Sequence, residues 1–372
     1  MAKQKRYRMK PGDFVLTILV MALVVFGVIM VFSASYYAAI SEYGDAYYYL
    51  KRDVMWALLG AVAMVVTSVV NYRIYAKVAP VLLVVSVVLL ALLFTPLGDE
   101  RGGAVRWLDL GIPVTIMPGE IAKICAIIFT AWYLSRDPKI IRSFTRGVLP
   151  MLCLCAVYGG LIIAQPNLST AITVCTIIVG IMFVAGLNLL YLAGLGLAGA
   201  AAVTALILSD PEGYWARRLT SFRDPFLDAQ GDGWQVIQSF YALGSGGLFG
   251  VGLGKSIQKT LYLPEPQNDF ILAIIGEELG YVGCILLLIC YLVLIWRGCH
   301  IAMNAPDAFG TLLASGITIM LAVQVLLNVA VVTSSMPPTG ITLPFVSFGG
   351  NALLLFMGSM GILLNISRHS AR

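Results

Sequence analysis

The residues that could do chemistry gather in one stretch, LYLPEPQNDFILAIIGEELGYVG at 261–283. Asp269 stands at the edge of a long apolar run, and Glu277 and Glu278 lie inside it. An acid at the middle of a membrane helix costs about 2.5–3.5 kcal/mol, so acids kept there need a use or a partner. Asp269 has two readings. One is a general base at the boundary between water and membrane. The other is an N-cap for a helix starting at Phe270, a place that favours Asp. On one continuous helix Glu277 falls about 80° around the axis from Asp269 and roughly 12 Å further along, and Glu278 falls about 180° away. Glu277 is therefore expected to share a cavity with Asp269. Glu278 is expected to face elsewhere and to need its own partner.

Other polar residues interrupt apolar runs. Glu120 and Lys123 share a helix face at i,i+3, either as a structural ion pair or with Lys123 turned to a phosphate. Gln165-Pro166-Asn167 ends a run, and the missing proline donor lets side chains there face a cavity. Gln324 and Asn328 lie at i,i+4 and either line that cavity or bond between helices. The polar segments supply Arg106, Arg217, Arg218, Arg223, Lys255 and Lys259, and arginine suits a bidentate grip on phosphate. GLFGVGLGKS at 247–256 fails as a nucleotide-binding P-loop, because the glycine spacing is one residue short. It is either a backbone nest for a pyrophosphate near Lys255 or a site of close helix packing.

These residues are presented by a membrane protein. Of 372 residues, 59% are hydrophobic and 12% charged, against about 25% charged in soluble domains. The net charge of +5 is small, and no nucleic-acid partner is expected. The seven cysteines fall in or beside apolar runs and read as buried thiols. His300 and His369 are the only histidines. Neither is expected outside, which argues against a zinc site or a Ser–His nucleophile there.

Ten apolar runs, near 14–34, 54–71, 76–95, 115–134, 148–164, 168–186, 189–208, 270–296, 308–332 and 350–366, each approach the ~20 residues needed to span a bilayer. The expected fold is an all-α polytopic membrane protein of about ten transmembrane helices, forming a single integral membrane domain over 1–372. Lys3, Lys5, Arg6, Arg8 and Lys10 make residues 1–13 a basic tail. Arg73, Lys77, Arg136, Lys139, Arg142, Arg146 and Arg297 mark further segments of the same side, and the short loops opposite hold Lys51, Arg52, Arg101 and Arg106. This asymmetry predicts both termini in the cytoplasm. Three polar segments then lie outside: 96–114, the long extracytoplasmic loop 209–269 between helices 7 and 8, and 333–349. GWQVIQSFYAL in the long loop reads as a short amphipathic helix near the membrane surface. GITLPFVSFGGNALL at 340–354 reads as a re-entrant or sharply turned segment.

Five motifs together carry a family resemblance: RWLDLG (106–111), PGEIAK (118–123), QPNLSTA (165–171), FYALGSGGLFGVGLGKSIQKTLYLPEPQNDFILAIIGEELG (240–280) and TGITLPFVSFGG (339–350). The chain resembles the SEDS family (shape, elongation, division and sporulation; FtsW, RodA and SpoVE) over nearly its whole length, most of all the FtsW/SpoVE branch. The resemblance implies an inverting peptidoglycan glycosyltransferase that polymerises lipid II at the outer face of the bacterial cytoplasmic membrane, for septum or spore-cortex synthesis. It implies a class B penicillin-binding protein as cross-linking partner, beside other divisome or sporulation membrane proteins. The family's essential aspartate matches Asp269. Arg106, Lys123, Gln165, Arg217, Arg218, Lys255, Lys259 and Glu277 are the candidate substrate contacts. The leaving pyrophosphate needs cations, from Arg and Lys or from a bound divalent ion (Mg or Mn). The competing functions are a lipid II flippase and a scaffold for the cross-linking enzyme. QPN stands where the family usually has QPD, so Asn167 cannot serve as a base. PGE replaces PSE, and SFGGN replaces SYGGS, which alters Phe348 and Asn351.

Overall fold

The structure is a computed structural model that describes residues 12–101, 104–109, 111, 115–209, 214–231 and 233–370. Most of the basic tail lies outside the described residues. Each of the ten apolar runs forms a helix: α1 (Phe14–Tyr43), α2 (Tyr48–Val69), α3 (Arg73–Leu92), α4 (Pro118–Ser135), α5 (Leu149–Ile163), α6 (Leu168–Val184), α7 (Leu189–Ser209), α10 (Ile271–Met303), α11 (Ala308–Val332) and α12 (Gly350–His369). The long loop adds α8 (Tyr214–Arg223) and α9 (Trp234–Gly246). A hairpin of β1 (Gly98–Arg101) and β2 (Ala104–Leu108) joins α3 to α4.

The chain is a multi-pass membrane protein. Large apolar side chains face outward along α1, α2, α3 and α10, among them Val62, Val81, Leu286 and Leu292, where a soluble protein would place charge. The centre is closed by α4, α6, α11 and α12. Ile127, Ile177, Leu313 and Met360 are fully buried there.

The start of α1 and the end of α12 meet at one end of the bundle. Asp13 caps α1 by accepting from the N–H of Leu16 at 3.0 Å, and its other oxygen accepts from Nε of Arg297 at 2.9 Å. The Asp13 N–H donates to Ser367 Oγ at 3.2 Å. At the same end Asn365 clamps the turn from α2 to α3, accepting from the Tyr72 N–H and donating to the Ser68 carbonyl, both at 2.9 Å.

Two departures from regular helix shape the opposite end. The first is a break inside α10 at Gly280 (φ 70°, ψ −169°), a conformation glycine alone adopts readily. The glycine-rich loop plugs the break. Val251 and Gly252 donate to the carbonyls of Glu277 and Glu278 at 2.9 and 3.0 Å, and Tyr281 and Val282 donate to those of Gly247 and Leu248 at 2.9 and 3.1 Å. Four backbone groups beside the break thus find partners in the loop, as apolar surroundings demand. A β-carbon on Gly250 would lie 2.1 Å from the Glu278 carbonyl, so the loop and helix touch backbone to backbone.

The second is the segment 337–349, which is neither helix nor strand yet buries Leu343, Phe345 and Val346. Side chains satisfy its backbone. Asn328 donates to the Ile341 carbonyl at 2.7 Å, Tyr291 to that of Pro344 at 2.5 Å, and Ser347 Oγ accepts from the Leu343 N–H at 2.8 Å. The sharply turned segment expected from the sequence is thus enclosed in protein, the condition under which irregular backbone is tolerated at membrane depth.

Candidate functional site

Asp269 ends the long loop just before α10. Phe270 occupies the N-cap position, and no side chain caps the helix. The Asp269 carboxylate is therefore not spent on capping, which removes one of its two readings. The residue is half-buried. Its main-chain carbonyl accepts from Asn328 Nδ2 at 2.8 Å.

Two arginines flank it. Arg106 rises from β2, and its Nη2 donates to the Pro166 carbonyl at 2.7 Å. Arg218 comes from α8 and donates to the Pro338 carbonyl. Gly340 lies between the acid and Arg106, and a β-carbon built there would be 4.0 Å from both Asp269 Oδ2 and Arg106 Nη1. Ser169 Oγ donates to the Thr339 carbonyl at 2.6 Å, which fixes the same segment to α6. Residues distant in sequence thus converge: 106, 166, 218, 269 and 338–340.

The electrostatics suit a base. Burial raises the Asp269 carboxyl to about 6; its own backbone N–H, Arg218 and Arg106 pull it down, and Glu265 pushes it further up. A carboxylate with a pKa near 6 is ionised at neutral pH and still basic enough to take a proton. The Arg106 Nε is buried without a protein acceptor, so that guanidinium retains a donor.

The other candidates separate. Glu277 does not share a cavity with Asp269. It is 1% exposed, and its carboxylate accepts from the N–H of Ile257 at 2.8 Å, from that of Gln258 at 3.4 Å, and from the Ser256 hydroxyl. The expectation failed because the glycine-rich loop folds onto this face of α10 and claims the acid. The groups that meet the acid, the Ser256 hydroxyl and the N–H groups of Ile257 and Gln258, lie at the end of the glycine-rich stretch and just beyond it.

Glu278 has the partner it needs, which is Lys259. Their 2.7 Å ion pair is buried, and Ser33 of α1 donates to Glu278 and accepts from Lys259 at 3.0 Å. Lys259 is thereby bound within the fold rather than offered to a phosphate. Lys255 is exposed on the glycine-rich loop.

Lys123 is held by Glu120 at 2.7 Å and by Gln324 Oε1 at 2.9 Å, all buried. This is the ion-pair arrangement. Gln165 donates to the Leu90 carbonyl at 3.1 Å and borders a cavity of about 360 Å³ with Pro166, Thr95, Glu100 and Val105. The side chain of Arg217 lies outside the described residues. Among the described residues no three His, Cys, Asp or Glu side chains converge as a metal site. One carboxylate between two guanidiniums is a poor donor set for Mg or Mn.

Three of the departures from the family pattern, Asn167, Phe348 and Asn351, make local contacts. Asn167 caps α6, accepting from the Thr170 N–H at 3.4 Å, a role Asp fills equally well. Phe348 meets Tyr49 edge-on with ring centres 5.1 Å apart. Asn351 donates to the Thr115 carbonyl at 2.9 Å. The sequence reading missed the part played by Thr339 and Gly340. The doubled proline at 337–338 beside a glycine was the available signal.

A family model described as "Cell cycle protein", covering FtsW, RodA and SpoVE, matches residues 14–372. The chain belongs to the FtsW/RodA/SpoVE family. It is 42% identical over 359 residues to Stage V sporulation protein E of Bacillus subtilis, covering 96% of this chain and 97% of that protein. It is 40% identical over 365 residues to the probable peptidoglycan glycosyltransferase FtsW of Trichlorobacter lovleyi, covering 98% and 95%. Among solved structures it resembles a chain of a peptidoglycan synthase complex that coordinates polymerization and crosslinking, at TM-score 0.80 and 29% identity over 96% of this chain and 98% of the other. It also resembles Thermus thermophilus RodA at TM-score 0.72 and 27% identity, over 97% and 98%. The two FtsW/SpoVE relatives and the resemblance drawn from the motifs agree on the branch. The family's full-length coverage includes every segment that builds the Asp269 site.

Proposed function

We propose that this chain is an inverting peptidoglycan glycosyltransferase that polymerises lipid II, with Asp269 as general base. The observation that carries the reading is the Asp269 carboxylate itself. It is half-buried, relieved of any capping duty, and flanked by Arg106 and Arg218. The probable glycosyltransferase activity named for the FtsW relatives supports it.

The chemistry follows from the groups present. An acceptor sugar hydroxyl attacks the anomeric carbon of the donor. The new C–O bond forms as the bond to the pyrophosphate oxygen breaks, with inversion. Asp269 takes the hydroxyl proton, and the pyrophosphate leaves with the electron pair. Arg106 and Arg218 answer the negative charge of donor and leaving group. Lys123, Lys259 and Glu277 are structural in this reading.

The polyprenyl tail needs a route from the bilayer. Although consecutive, α2 and α3 hardly touch: α2 packs on α12 and α1, and α3 packs on α4. Their outward faces carry exposed Leu58, Val62, Val65, Val81 and Val84. This apolar edge is the proposed route for the lipid chain.

Lys and Arg accumulate in the segments at the end where α1 begins and α12 ends, which supports a cytoplasmic location for that end. Asp269 then faces outward from the cytoplasmic membrane. The structural likeness to a polymerising and cross-linking complex supports a class B penicillin-binding protein as partner.

The test is glycan-strand synthesis from purified lipid II by the protein with its penicillin-binding partner, wild type beside Asp269→Asn. Polymer from the wild type and none from the folded variant is expected. Equal polymer from both would overturn the assignment of the base. Lipid II crossing liposome bilayers with no polymer from either would favour a flippase.

A further inference from the structure

Asn328 reaches the base from behind. It is fully buried near the end of α11. Its Nδ2 makes two hydrogen bonds, to the Asp269 carbonyl at 2.8 Å and to the Ile341 carbonyl at 2.7 Å. Both donors of the amide are thereby used, and both acceptors belong to irregular backbone. One precedes α10 and carries Asp269. The other follows Gly340, which stands between Asp269 and Arg106. The Asn328 Oδ1 is buried without a partner.

The asparagine satisfies both carbonyls at the cost of an orphaned buried amide oxygen; a leucine of similar volume would avoid that cost but leave both carbonyls without this donor. What the asparagine supplies is a rigid distance. Two carbonyls from segments 72 positions apart in sequence (341 − 269) are held by one nitrogen, and α11 anchors that nitrogen. The helix does not otherwise fix Asp269, because α10 starts beyond it with no side-chain cap.

We infer that Asn328 is a positioning residue for the glycosyl transfer, setting the Asp269 carboxylate against the 338–341 segment and so against Arg106. The inference rests on the proposed role of Asp269. It predicts a loss chiefly in kcat rather than in substrate capture, because Arg106 is held by a separate contact, to Pro166. Displacing a base by a fraction of an ångström to an ångström lowers rates by ten- to a hundredfold.

The experiment compares wild type, Asn328→Leu, Asn328→Asp and Asp269→Asn, each purified with the penicillin-binding partner. Leucine removes both donors and the orphaned oxygen at similar volume. Aspartate keeps the shape but, when ionised, points acceptors at two carbonyls. Polymerisation of lipid II gives kcat and KM, and thermal unfolding reports the fold. The expected result is a kcat at least tenfold down in both Asn328 variants, with KM within about twofold of wild type. The acid limb of the kcat profile should also move to higher pH as the carboxylate leaves the arginines. Wild-type kcat in Asn328→Leu would overturn the inference. So would a loss of kcat that tracks loss of folded protein in both variants, since Asn328 would then hold the fold rather than the base. If Asp269→Asn also polymerises normally, the reading of the base itself fails. If only the Asn328 variants are normal, that reading stands and the positioning role falls.

Discussion

The carboxylate of Glu277 accepts the main-chain N–H of Ile257 at 2.8 Å, so an acid that the sequence placed beside the base instead holds the glycine-rich loop. The same acid takes the Ser256 hydroxyl and the Gln258 N–H. Hydrogen bonds to a charged group contribute about 1.5–3 kcal/mol each. Glu277→Ala should therefore lower stability by on the order of 3 kcal/mol or more, and Glu277→Gln by less, because its amide oxygen still accepts from Ile257. Thermal unfolding of the purified protein checks the order. Unchanged stability with a raised KM for lipid II would move Glu277 to the substrate.

The Lys259–Glu278 pair gives a second prediction. Both side chains are almost fully buried at 2.7 Å. Removing one partner strands a charge and typically costs about 3–5 kcal/mol, whereas replacing both is far milder. Lys259→Met should destabilise strongly, and Lys259→Met with Glu278→Gln should recover much of the loss. A double-mutant cycle on melting temperature measures this. Additive losses would show that the two charges do not depend on each other.

Gly250 tests the plug in α10. Its φ is +78°, and an added β-carbon would meet the Glu278 carbonyl at 2.1 Å. Gly250→Ala should cost several kcal/mol, since both the conformation and the contact forbid a side chain. Gly244→Ala, on α9 with open space around it, should be neutral or stabilising by up to about 1 kcal/mol. Folded yield and unfolding temperature distinguish them. Equal behaviour would mean that the loop does not seat on the helix break.

The raised carboxyl of Asp269 makes both activity and stability depend on pH. The acid deprotonates near 3.8 when unfolded and near 6 when folded. Between those values the native state holds the extra proton, so stability falls as pH rises and is level above. Asp269→Asn should unfold at higher temperature than wild type at about pH 7.5, by an equivalent of roughly 1–2 kcal/mol, and the gap should close near pH 4. Wild-type polymerisation should rise through about pH 6 to a plateau. A rate that ignores pH in this range would rule out Asp269 as the titrating base.

Apolar runs determined the helices. Each of the ten stretches became one, because apolar surroundings require a segment to satisfy its own backbone and only a helix does so locally. Asp269 was legible for a related reason: an acid beside such a run is expensive, and the family motif around it is long. The sequence could also say that Glu278 needed a partner, but it could not name Lys259, nineteen positions away across the loop.

The tertiary structure decided what one-dimensional spacing could not. A uniform 100° per residue placed Glu277 near Asp269, but facing alone does not decide partners. The loop at 247–258 closed over the Gly280 break and occupied that acid. The neighbours of Asp269 come from β2, α8 and the 338–340 segment, which have no spacing rule between them. Irregular backbone around 337–349 has its polar groups met by side chains, among them Asn328, Tyr291 and Ser347. The helices follow from local hydrogen bonding and hydropathy, whereas the site follows from how irregular segments find donors in one another.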